Sequence, residues 1–351
     1  MSQNGSDIRV KVVGVGGGGG NAVQRMAKSN LDGLEFVAIN TDQQALDRMK
    51  GVSTLVIGPA ATAGMGSGGD PDVGRRAVRE SQEQVADLLK GADMVFVAAG
   101  MGGGTGTGAA PMVADMARRQ GALTVGVVTR PFSFEGARRK EVADRGLFQL
   151  RQRVDTMITV DNDRLLSSLD GKLSLEKAFG AADEVLRQGV QGISEILVVP
   201  GLVNVDFADV KAIMLTGGAS FMAMGEGKGK SAADDAVRAA VANPLFDAPL
   251  RGSKGILFNV RGGKDLTIGQ VHQVAGIIRE AAQSDTQIIF GVVQDRKFRK
   301  KVRITLVATG IRSAEDAGVR PLEAEPPRPV PKPTTNGHRR ADTLLPAQKL
   351  L

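Results

Sequence analysis

The chain has 351 residues, 42% of them apolar and 24% charged, which excludes a disordered, collagen-like or coiled-coil protein and allows about two domains. It contains no Cys and two His, which excludes disulfides, thiolate metal sites and histidine-rich zinc sites. Residues 1–10 lack the apolar segment of a signal peptide, and no apolar run reaches the ~18 residues of a membrane span. We therefore expect a cytoplasmic protein.

The net charge of +7 comes mostly from one short segment. Residues 295–303 hold six basic residues and one acidic residue, and residues 311–351 hold seven basic and five acidic ones, so the rest of the chain is neutral. This is not the broad basic face that is typical of nucleic-acid-binding proteins. Two interpretations of residues 295–303 stay open: a solvated charged surface, or a segment attracted to acidic lipid headgroups or nucleic acid.

The first half of the chain alternates apolar runs with helical patterns, which predicts a parallel α/β sheet covered by helices on both faces. The predicted strands are residues 10–15, 35–40, 54–57, 94–99, 123–129 and 156–160. The predicted helices between them are residues 22–29, 73–89, 109–120 and 135–151.

The second half predicts a long helix and then a mixed α+β domain. The predicted elements are a helix at 174–198, a strand at 212–216, a helix at 232–242, a strand at 255–260, a helix at 268–282, and strands at 287–293 and 301–308. Residues 313–351 contain seven of the fourteen prolines, which indicates a flexible linker and tail.

Glycine accounts for 46 residues, and its densest run, residues 16–20, follows the first predicted strand and precedes a helix. Backbone N–H groups that are free at the start of a helix favour phosphate, and the absence of side chains permits its close approach. On its own, the pattern also fits a dinucleotide-binding fold or a flexible turn.

A second glycine run, GMGGGTGTG at 100–108, again lies between a strand and a helix and adds two Thr hydroxyls that could donate to phosphate. Two such loops at successive strand ends favour a polyphosphate ligand. Neither run is followed by the Lys of a P-loop. The near match GEGKGKS at 225–231 lacks the first required glycine, and we interpret it as a basic surface loop.

These motifs closely resemble the FtsZ family, the tubulin-like GTPases of bacterial cell division. The resemblance spans residues 8–312, and its segments are GVGGGGGNAV at 14–23, NTD at 40–42, AAGMGGGTGTGAAP at 98–111, PFSFEG at 131–136, NDRLL at 162–166, AFGAADEVL at 178–186 and NVDFADVKAIM at 204–214. The implied fold class is α/β, with a GTP-binding parallel-sheet domain at 1–173 and a long core helix at 174–201. A second α+β domain at 202–312 would carry the catalytic loop, and a flexible linker and tail would occupy 313–351.

The resemblance implies that the ligands are GTP or GDP with Mg²⁺. The implied nucleotide-binding residues are Gly17, Gly18, Gly19, Gly20, Asn21, Gly106, Thr107, Gly108, Glu135, Arg139, Asn162, Phe179 and Asp183. The glycine loops would hold the phosphates, and Glu135 and Arg139 would line the ribose and phosphate side. Phe179 would stack on guanine, while Asn162 and Asp183 would bind the base or ribose. Residues 66–69 resemble the loop that senses the γ-phosphate. Without the resemblance, Phe179 would be interpreted as core and Asp183 as a solvated helix face.

The implied catalytic residues are Asn204, Asp206 and Asp209. In this family the corresponding loop reaches the nucleotide of the next subunit in a head-to-tail filament, where its carboxylates orient and polarise the attacking water. The spacing of Asp206 and Asp209 allows both to face one way at a helix start. From the residues alone, Asp206 is equally suited to cap that helix.

The implied partners are other copies of the chain in a homopolymer, and membrane tethers or division regulators that bind the tail at the division septum. We expect no membrane span and no specific nucleic acid. The tail departs from the family pattern, because Gln348 stands where the family has Phe. Two alternatives are a GTP-binding scaffold without turnover and an oxidoreductase that binds NAD through residues 14–20. The second is disfavoured because it leaves residues 100–108 and 204–214 unexplained.

Overall fold

A single mixed sheet runs through the folded part of the chain. The computed structural model describes residues 8–29, 33–167, 174–199, 201–216, 219–243, 250–282 and 285–311. The predicted linker and tail at 313–351 lie outside the described residues. No helix in these described ranges is both long enough and apolar enough to cross a membrane.

The sheet is parallel in its first half, as the apolar runs predict. Its strands are β1 Val10–Val15, β2 Leu34–Asn40, β3 Ser53–Val56, β4 Met94–Gly100, β5 Leu123–Arg130, β6 Thr156–Asp161, β7 Ala219–Lys228, β8 Gly255–Gly262, β9 Gln287–Gln294 and β10 Lys301–Ile311. Their order is β3-β2-β1-β4-β5-β6-β7-β10-β8-β9. The strands from β3 to β7 in this order are parallel, whereas β10 is antiparallel to both β7 and β8. The predicted α/β fold class is confirmed.

Helices cover both faces of this sheet. They are α1 Gly16–Ala27, α2 Gln43–Asp47, α3 Pro59–Thr62, α4 Pro71–Glu80, α5 Gln82–Leu89, α6 Gly104–Arg119, α7 Ala137–Arg151, α8 Asn162–Ser167, α9 Leu175–Val198, α10 Phe207–Met214, α11 Ala232–Val241 and α12 Ile268–Ala281. Short 3₁₀ helices lie at Ser133–Glu135 and Arg296–Phe298. Side-chain caps fix several starts: Asp70 accepts the N–H of Asp72 at 2.8 Å ahead of α4, and Thr267 forms a capping box ahead of α12.

Apolar residues fill three clusters around the sheet. One lies between the first-half strands and α4 to α7, and a second lies on the opposite face against α1, α9 and α10. The third joins α11 and α12 to β7, β8 and β10. Because successive strand residues point to opposite faces, Val12 belongs to the second cluster and Val13 to the first. Strands buried on both faces explain the continuous apolar runs of the sequence.

Two predictions of local structure are wrong. Residues 212–216, predicted as a strand, contain the end of α10, which buries Val210, Ile213 and Met214 at helical spacing. Residues 225–228, predicted as part of a basic loop, form the end of β7. Glycine is needed there because a side chain at Gly225 would overlap the carbonyl oxygen of Ala236 in α11.

Several helix ends also differ from the predictions. The first and third predicted helices begin inside the glycine runs, as α1 and α6, rather than after them. The predicted helix at 73–89 is divided at Ser81, whose hydroxyl accepts the N–H of Gly58 at 3.0 Å. Glycine has a low helix propensity, so the early starts are not visible from sequence pattern alone.

The two halves of the sheet meet at a narrow seam. Only Met157–Ala219 and Ile158–Ser220 pair β6 with β7 in the described part, whereas six residue pairs join β1 to β4. The helix α9 crosses this seam and buries one stripe, which includes Leu186.

A ladder of polar side chains along α9 ties this helix to the second half of the sheet. Arg187 donates to Glu184 and Gln191, and Gln191 donates to Glu195. Arg261 of β8 then bonds to Glu195 and to Asp295, the latter at 2.6 Å. Hydrogen bonding to Arg187 lowers the pKa of the Glu184 carboxyl, so this end of the ladder stays charged.

We predict opposite effects for one substitution at two glycines. Gly225→Ala is expected to destabilise the fold by about 1–3 kcal/mol, because the new methyl would also lie 2.5 Å from the amide nitrogen of Ala240. Gly276 lies exposed in α12 with no atom near its missing Cβ, so Gly276→Ala is expected to stabilise by up to ~1 kcal/mol. Urea unfolding of both variants measures the difference. Equal midpoints would contradict the packing of β7 against α11.

Candidate functional site

The two glycine runs meet where the strand order changes direction. From β1 the chain continues to β2 on one side, whereas β4 leads to β5 on the other side. The carboxyl ends of β1 and β4 therefore flank a topological switch point, the position at which open α/β sheets bind ligands. α1 begins directly after β1, and α6 begins four residues after β4 ends, so both helix N-termini lie at this position.

Most glycines of these runs are required by packing within the chain. A Cβ at Gly16, where φ is +72°, would lie 2.7 Å from the amide nitrogen of Gly106. A Cβ at Gly106 would lie 2.6 Å from the carbonyl oxygen of Gly100, and one at Gly19 would overlap the carbonyl oxygen of Ala98. The two helix starts thus contact each other and β4 through bare backbone.

Two glycines face open space instead. A Cβ at Gly17 or at Gly103 would meet no atom of the chain within 4 Å. Gly17 and Gly18 are exposed, as is Asn21 one turn later in α1. Packing does not explain glycine at Gly17 or Gly103, whereas a ligand that approaches the backbone does. Helix N-termini carry partial positive charge and free N–H groups, so the fitting ligand is an anion.

The predicted phosphate residues of α6 are buried in its first turns. Thr107 accepts the N–H of Gly102 at 2.8 Å, and a side chain at Gly108 would overlap the carbonyl oxygen of Pro71. The hydroxyl of Thr105, expected to face phosphate, lies 2.7 Å from that of Thr41 and 3.0 Å from that of Ser67. The Thr105 hydroxyl therefore belongs to an internal network rather than to an open loop.

This hydroxyl network connects the loop at 66–69 to the start of α6. Ser67 is a member of the loop, and a Cβ at Gly104 would lie 2.7 Å from the amide nitrogen of Asp70. Gly68 and Gly69 have φ values of +60° and +79° and face open space. Left-handed backbone without side chains leaves their N–H groups accessible beside the α6 N-terminus.

Residues after β5 form the opposite wall. Glu135 accepts the N–H of Phe132 at 2.9 Å and forms an ion pair with Arg139. The carbonyl oxygen of Arg139 would lie 2.8 Å from a Cβ at Gly102, where φ is +100°. The start of α7 thus packs on the loop ahead of α6, and the structure brings Glu135 and Arg139 to the switch point.

Three phenylalanine rings form a platform beside this wall. Phe132 and Phe134 are stacked with ring centroids 4.9 Å apart, and Phe179 meets Phe132 edge-on at 5.2 Å. Phe132 is buried, but Phe134 is 55% and Phe179 43% exposed. Partly exposed rings held by a buried one suit the stacking of a planar ligand. Sequence reasoning missed Phe132 and Phe134, although both lie in the PFSFEG segment.

Two polar groups complete the edge of the platform. Asp183 of α9 forms an ion pair with Arg25 of α1 at 3.1 Å. Burial raises the pKa of Asp183 to about 6, and Arg25 opposes this rise. Asn162 follows β6 and is buried, and its Oδ1 has no hydrogen-bond partner among the described residues. A buried acceptor without a partner costs about 1–3 kcal/mol, which a ligand N–H donor would recover. Arg25 was not predicted, because only the fold brings α1 beside α9.

The predicted catalytic residues lie elsewhere. Asn204, Asp206 and Asp209 follow the C-terminal end of α9, and all three are exposed. Phe179 and Asp183 lie in the first third of α9, so the rest of this helix, about 22 to 28 Å at ~1.5 Å per residue, separates the two groups. Within one chain the structure does not bring them together.

The geometry of this loop leaves its carboxylates available. Asn204 Oδ1 accepts the N–H of Gly201 at 2.7 Å, which holds the loop in place. Asp206 occupies the N-cap position of α10, yet its side chain makes no capping hydrogen bond. The capping interpretation of Asp206 is therefore wrong for its carboxylate.

A parallel sheet with two glycine-rich helix starts at its switch point and an aromatic platform defines a tubulin-like nucleotide-binding protein. Comparison with known proteins agrees. Residues 9–170 match the Tubulin/FtsZ family GTPase domain, and residues 218–312 match the FtsZ family C-terminal domain.

Solved structures extend this match over most of the chain. An empty FtsZ dimer from M. jannaschii has 39% identity, covers 93% of this chain and 95% of that chain, and gives a TM-score of 0.84. A mutant of FtsZ from M. jannaschii has 40% identity, covers 87% of this chain and 91% of that chain, and gives a TM-score of 0.83. The GDP-bound monomer of CetZ1 from Haloferax volcanii shares the fold. It has 20% identity, covers 88% of this chain and 96% of that chain, and gives a TM-score of 0.74.

The chain belongs to the FtsZ family, and it is a GTPase that binds GTP and GDP. The alternative of a nicotinamide-dependent oxidoreductase is wrong, because both matched domains are those of this GTPase family. The family assignment likewise does not support the alternative of a scaffold without turnover.

We predict that Gly17 and Gly19 respond differently to the same substitution. Gly17→Ala is expected to keep the fold and to weaken GTP binding by about tenfold or more, because its methyl would enter the space that the ligand needs. Gly19→Ala is expected to lower stability, because its methyl would overlap β4. Thermal melting and nucleotide titration separate the two effects. Unchanged GTP affinity in the Gly17 variant would show that phosphate does not approach this residue.

Proposed function

We propose that this chain hydrolyses GTP to GDP and phosphate at a site completed by a second copy, within the head-to-tail filament of the division ring. The observation that carries the proposal is the separation of the nucleotide-facing residues from Asn204, Asp206 and Asp209 by α9. A chain whose two half-sites lie at opposite ends becomes competent when one end contacts the other end of a neighbour.

The nucleotide half-site uses the residues gathered at the switch point. The residues assigned to the phosphates are Gly17, Gly18, Gly19, Gly20, Asn21, Gly106, Thr107 and Gly108. Among them, Gly17, Gly18 and Gly106 lie in the first turns of α1 and α6, where backbone N–H groups have no partner within the helix. Glu135 and Arg139 line the ribose side. Phe179, supported by Phe132 and Phe134, stacks on guanine. The ring N–H and amino groups of guanine are donors, which fits an unpaired Oδ1 on Asn162 and a carboxylate on Asp183.

The catalytic half-site supplies acceptors for water. Asp206 and Asp209 carry exposed carboxylates, of which Asp206 is free of a capping role, and Asn204 is held by the N–H of Gly201. Phosphoryl transfer needs in-line positioning and charge stabilisation more than covalent chemistry. We assign Asp206 and Asp209 to orienting and polarising the attacking water, and Asn204 to ordering the loop.

Exposed apolar residues at both ends support a head-to-tail contact. Met65 is 83% exposed beside the loop at 66–69, and Leu202 is 65% exposed beside the catalytic loop. A contact between unlike ends is heterologous and does not close on itself, so it builds an open filament. A solved relative from M. jannaschii is an FtsZ dimer, which agrees with self-association.

Mg²⁺ is proposed as the companion of the GTP phosphates. The Ser67 hydroxyl and the Asp70 backbone lie beside Gly104 at the phosphate end. Asp70 caps α4 through Oδ1, and its other carboxylate oxygen is a donor of the kind that suits a hard cation held together with the phosphates. When bound, Mg²⁺ neutralises phosphate charge. Among the described residues there is no group of three or more acidic, His or Cys side chains able to hold a metal ion.

Cellular placement and domain roles follow from family membership. We propose a cytoplasmic protein at the division septum, with a GTP-binding domain at 1–173, a core helix at 174–201 and a catalytic-loop domain at 202–312. Membrane tethers or division regulators that bind residues 313–351 stay a prediction.

We predict that GTP turnover per chain depends on protein concentration. Phosphate release should be near zero in dilute protein and rise above a threshold, because neither half-site is complete in one chain. The measurement is phosphate release with GTP and Mg²⁺ over a dilution series. A constant rate per chain would contradict the shared site.

We predict that Asp209→Ala keeps GTP binding and lowers turnover by at least about a hundredfold. The matched control is Asp235→Ala, which removes an exposed carboxylate from the fourth residue of α11, one position later than Asp209 in α10. That control should turn over GTP at the original rate. Full activity of the Asp209 variant would remove this loop from the mechanism.

We predict opposite pH responses for GTP affinity and stability. Guanine donors need the ionised Asp183 carboxylate, so affinity should fall about tenfold from pH 7 to pH 5 as this group, with a pKa of about 6, takes up a proton. The pKa of Asp183 in the folded chain exceeds the ordinary value of 3.8, so the folded state takes up the proton first. The free energy of unfolding should therefore rise as the pH falls through 6.

Nucleotide titration and urea unfolding at both pH values measure these two effects separately. Asp183→Asn should show neither response and serves as the control. An affinity that does not change with pH in the unsubstituted chain would contradict the assignment of Asp183 to the base.

A further inference from the structure

Three turns meet at one end of the second half of the sheet and carry basic side chains. Hydrogen bonds tie them together: the N–H of Gly229 donates to the carbonyl of Lys300 at 2.9 Å, and the N–H of Asp295 to that of Gly262 at 2.8 Å. The N–H of Lys300 donates to the Asp265 carboxylate at 2.9 Å. The exposed cations of these turns, here named the basic patch, are Lys228, Lys230, Lys264, Arg296, Lys297, Arg299, Lys300 and Lys301.

Two arginines behind the basic patch are neutralised. Arg261 and Arg303 lie opposite each other on β8 and β10, and their guanidinium carbons lie 4.8 and 5.2 Å from the centroid of the Phe298 ring. Arg261 pairs with Asp295, and Arg303 pairs with Glu226. Across the ranges that the structure describes, no side chain of the basic patch forms an ion pair, although the Asp295 carboxylate, which is paired with Arg261, also attracts Lys297. Most of the charge of the patch is therefore available to an external partner.

The basic patch carries two features that oppose folding. Lys301 and Lys228 are direct cross-strand partners of β10 and β7, and like charges in this position repel each other. Lys300 has a φ of +54°, a left-handed conformation that costs energy in any residue with a side chain. Features that disfavour folding are retained where they contribute to a function. An anionic ligand would offset the repulsion between the lysines.

The composition of the basic patch favours a lipid surface over nucleic acid. Six of its eight members are Lys, a compact charge suited to diffuse attraction, whereas Arg is preferred for phosphate readout in nucleic acids. Phe298 is covered by two guanidinium groups and does not offer its ring to a base. We propose that the basic patch binds membranes that carry anionic phospholipid headgroups.

This contact is separate from the predicted docking of the tail. The basic patch includes the first residue of β10, and the described chain ends at Ile311, the last residue of the same strand. Eleven residues of strand span about 35 Å, so Ile311 lies at the opposite end of β10 from Lys301. The proposal concerns a single folded chain and requires neither GTP turnover nor filament assembly.

The test is sedimentation of the full-length chain with vesicles of phosphatidylcholine, with and without one third phosphatidylglycerol, at low and high salt. The chain should bind the anionic vesicles and be released by salt, because each basic residue adds a screened attraction. The variant K297E/R299E/K301E should bind on the order of a hundredfold more weakly. K301E replaces the Lys–Lys cross-strand pair by an opposite-charge pair, so the fold should not weaken there.

A matched variant controls for net charge. R76E/R79E/K90E reverses three exposed cations in and after α4 and α5, and it should bind vesicles as the unsubstituted chain does. Absence of binding to anionic vesicles, or an equal loss in both variants, would overturn the proposal. A third outcome would also overturn it: the chain binds duplex DNA more tightly than vesicles, and K297E/R299E/K301E abolishes the DNA binding. The basic patch would then recognise nucleic acid. GTP turnover of each variant is measured in parallel. A loss of vesicle binding with unchanged turnover is then separate from any failure of the proposed shared catalytic site.

Discussion

The close approach of two helix N-termini through bare backbone is the constraint on which the site depends. α1 and α6 start from adjacent parallel strands, and Gly16 and Gly106 leave no room between them for a methyl group. This contact places two sets of helix-end N–H groups side by side, which a single dinucleotide loop does not achieve. The hydroxyl network and the start of α7 then build on α6, so the wall, the platform and the loop at 66–69 all take their positions from it.

The helix α9 has two tasks that follow from its length. Its first turns contribute Phe179 and Asp183 to the aromatic platform, and its last turn leads into the loop that carries Asp206 and Asp209. Its buried apolar residues from Leu186 to Ile196 belong to the cluster that also contains α1 and α10, so this core holds the middle and the C-terminal end of α9. A rigid spacer of this kind keeps the nucleotide-facing groups and the proposed catalytic groups apart in each chain.

Sequence patterns predicted the features that depend on local chemistry. Strand runs and glycine runs identify the parallel sheet and its switch point because both follow from elementary backbone requirements. Sequence patterns failed where contacts between distant segments decide the local structure or the neighbours of a residue. The strand predicted at 212–216 is helical, because a short apolar run does not distinguish the two structures. Gly225 lies in a strand because α11 packs on it, and Arg25 meets Asp183 because α1 packs on α9. The roles of the gathered site residues stay predictions.

The narrow seam between β6 and β7 has a mechanical consequence for the two halves of the sheet. Two residue pairs join the halves of the sheet in the described region, while α9 packs against both halves and its polar ladder from Glu184 to Asp295 ties it to the second half. The two halves are therefore joined mainly by side-chain packing around α9 and less by backbone pairing between β6 and β7. A rotation of one half of the sheet against the other would therefore have to disturb the apolar cluster that contains residues of both halves.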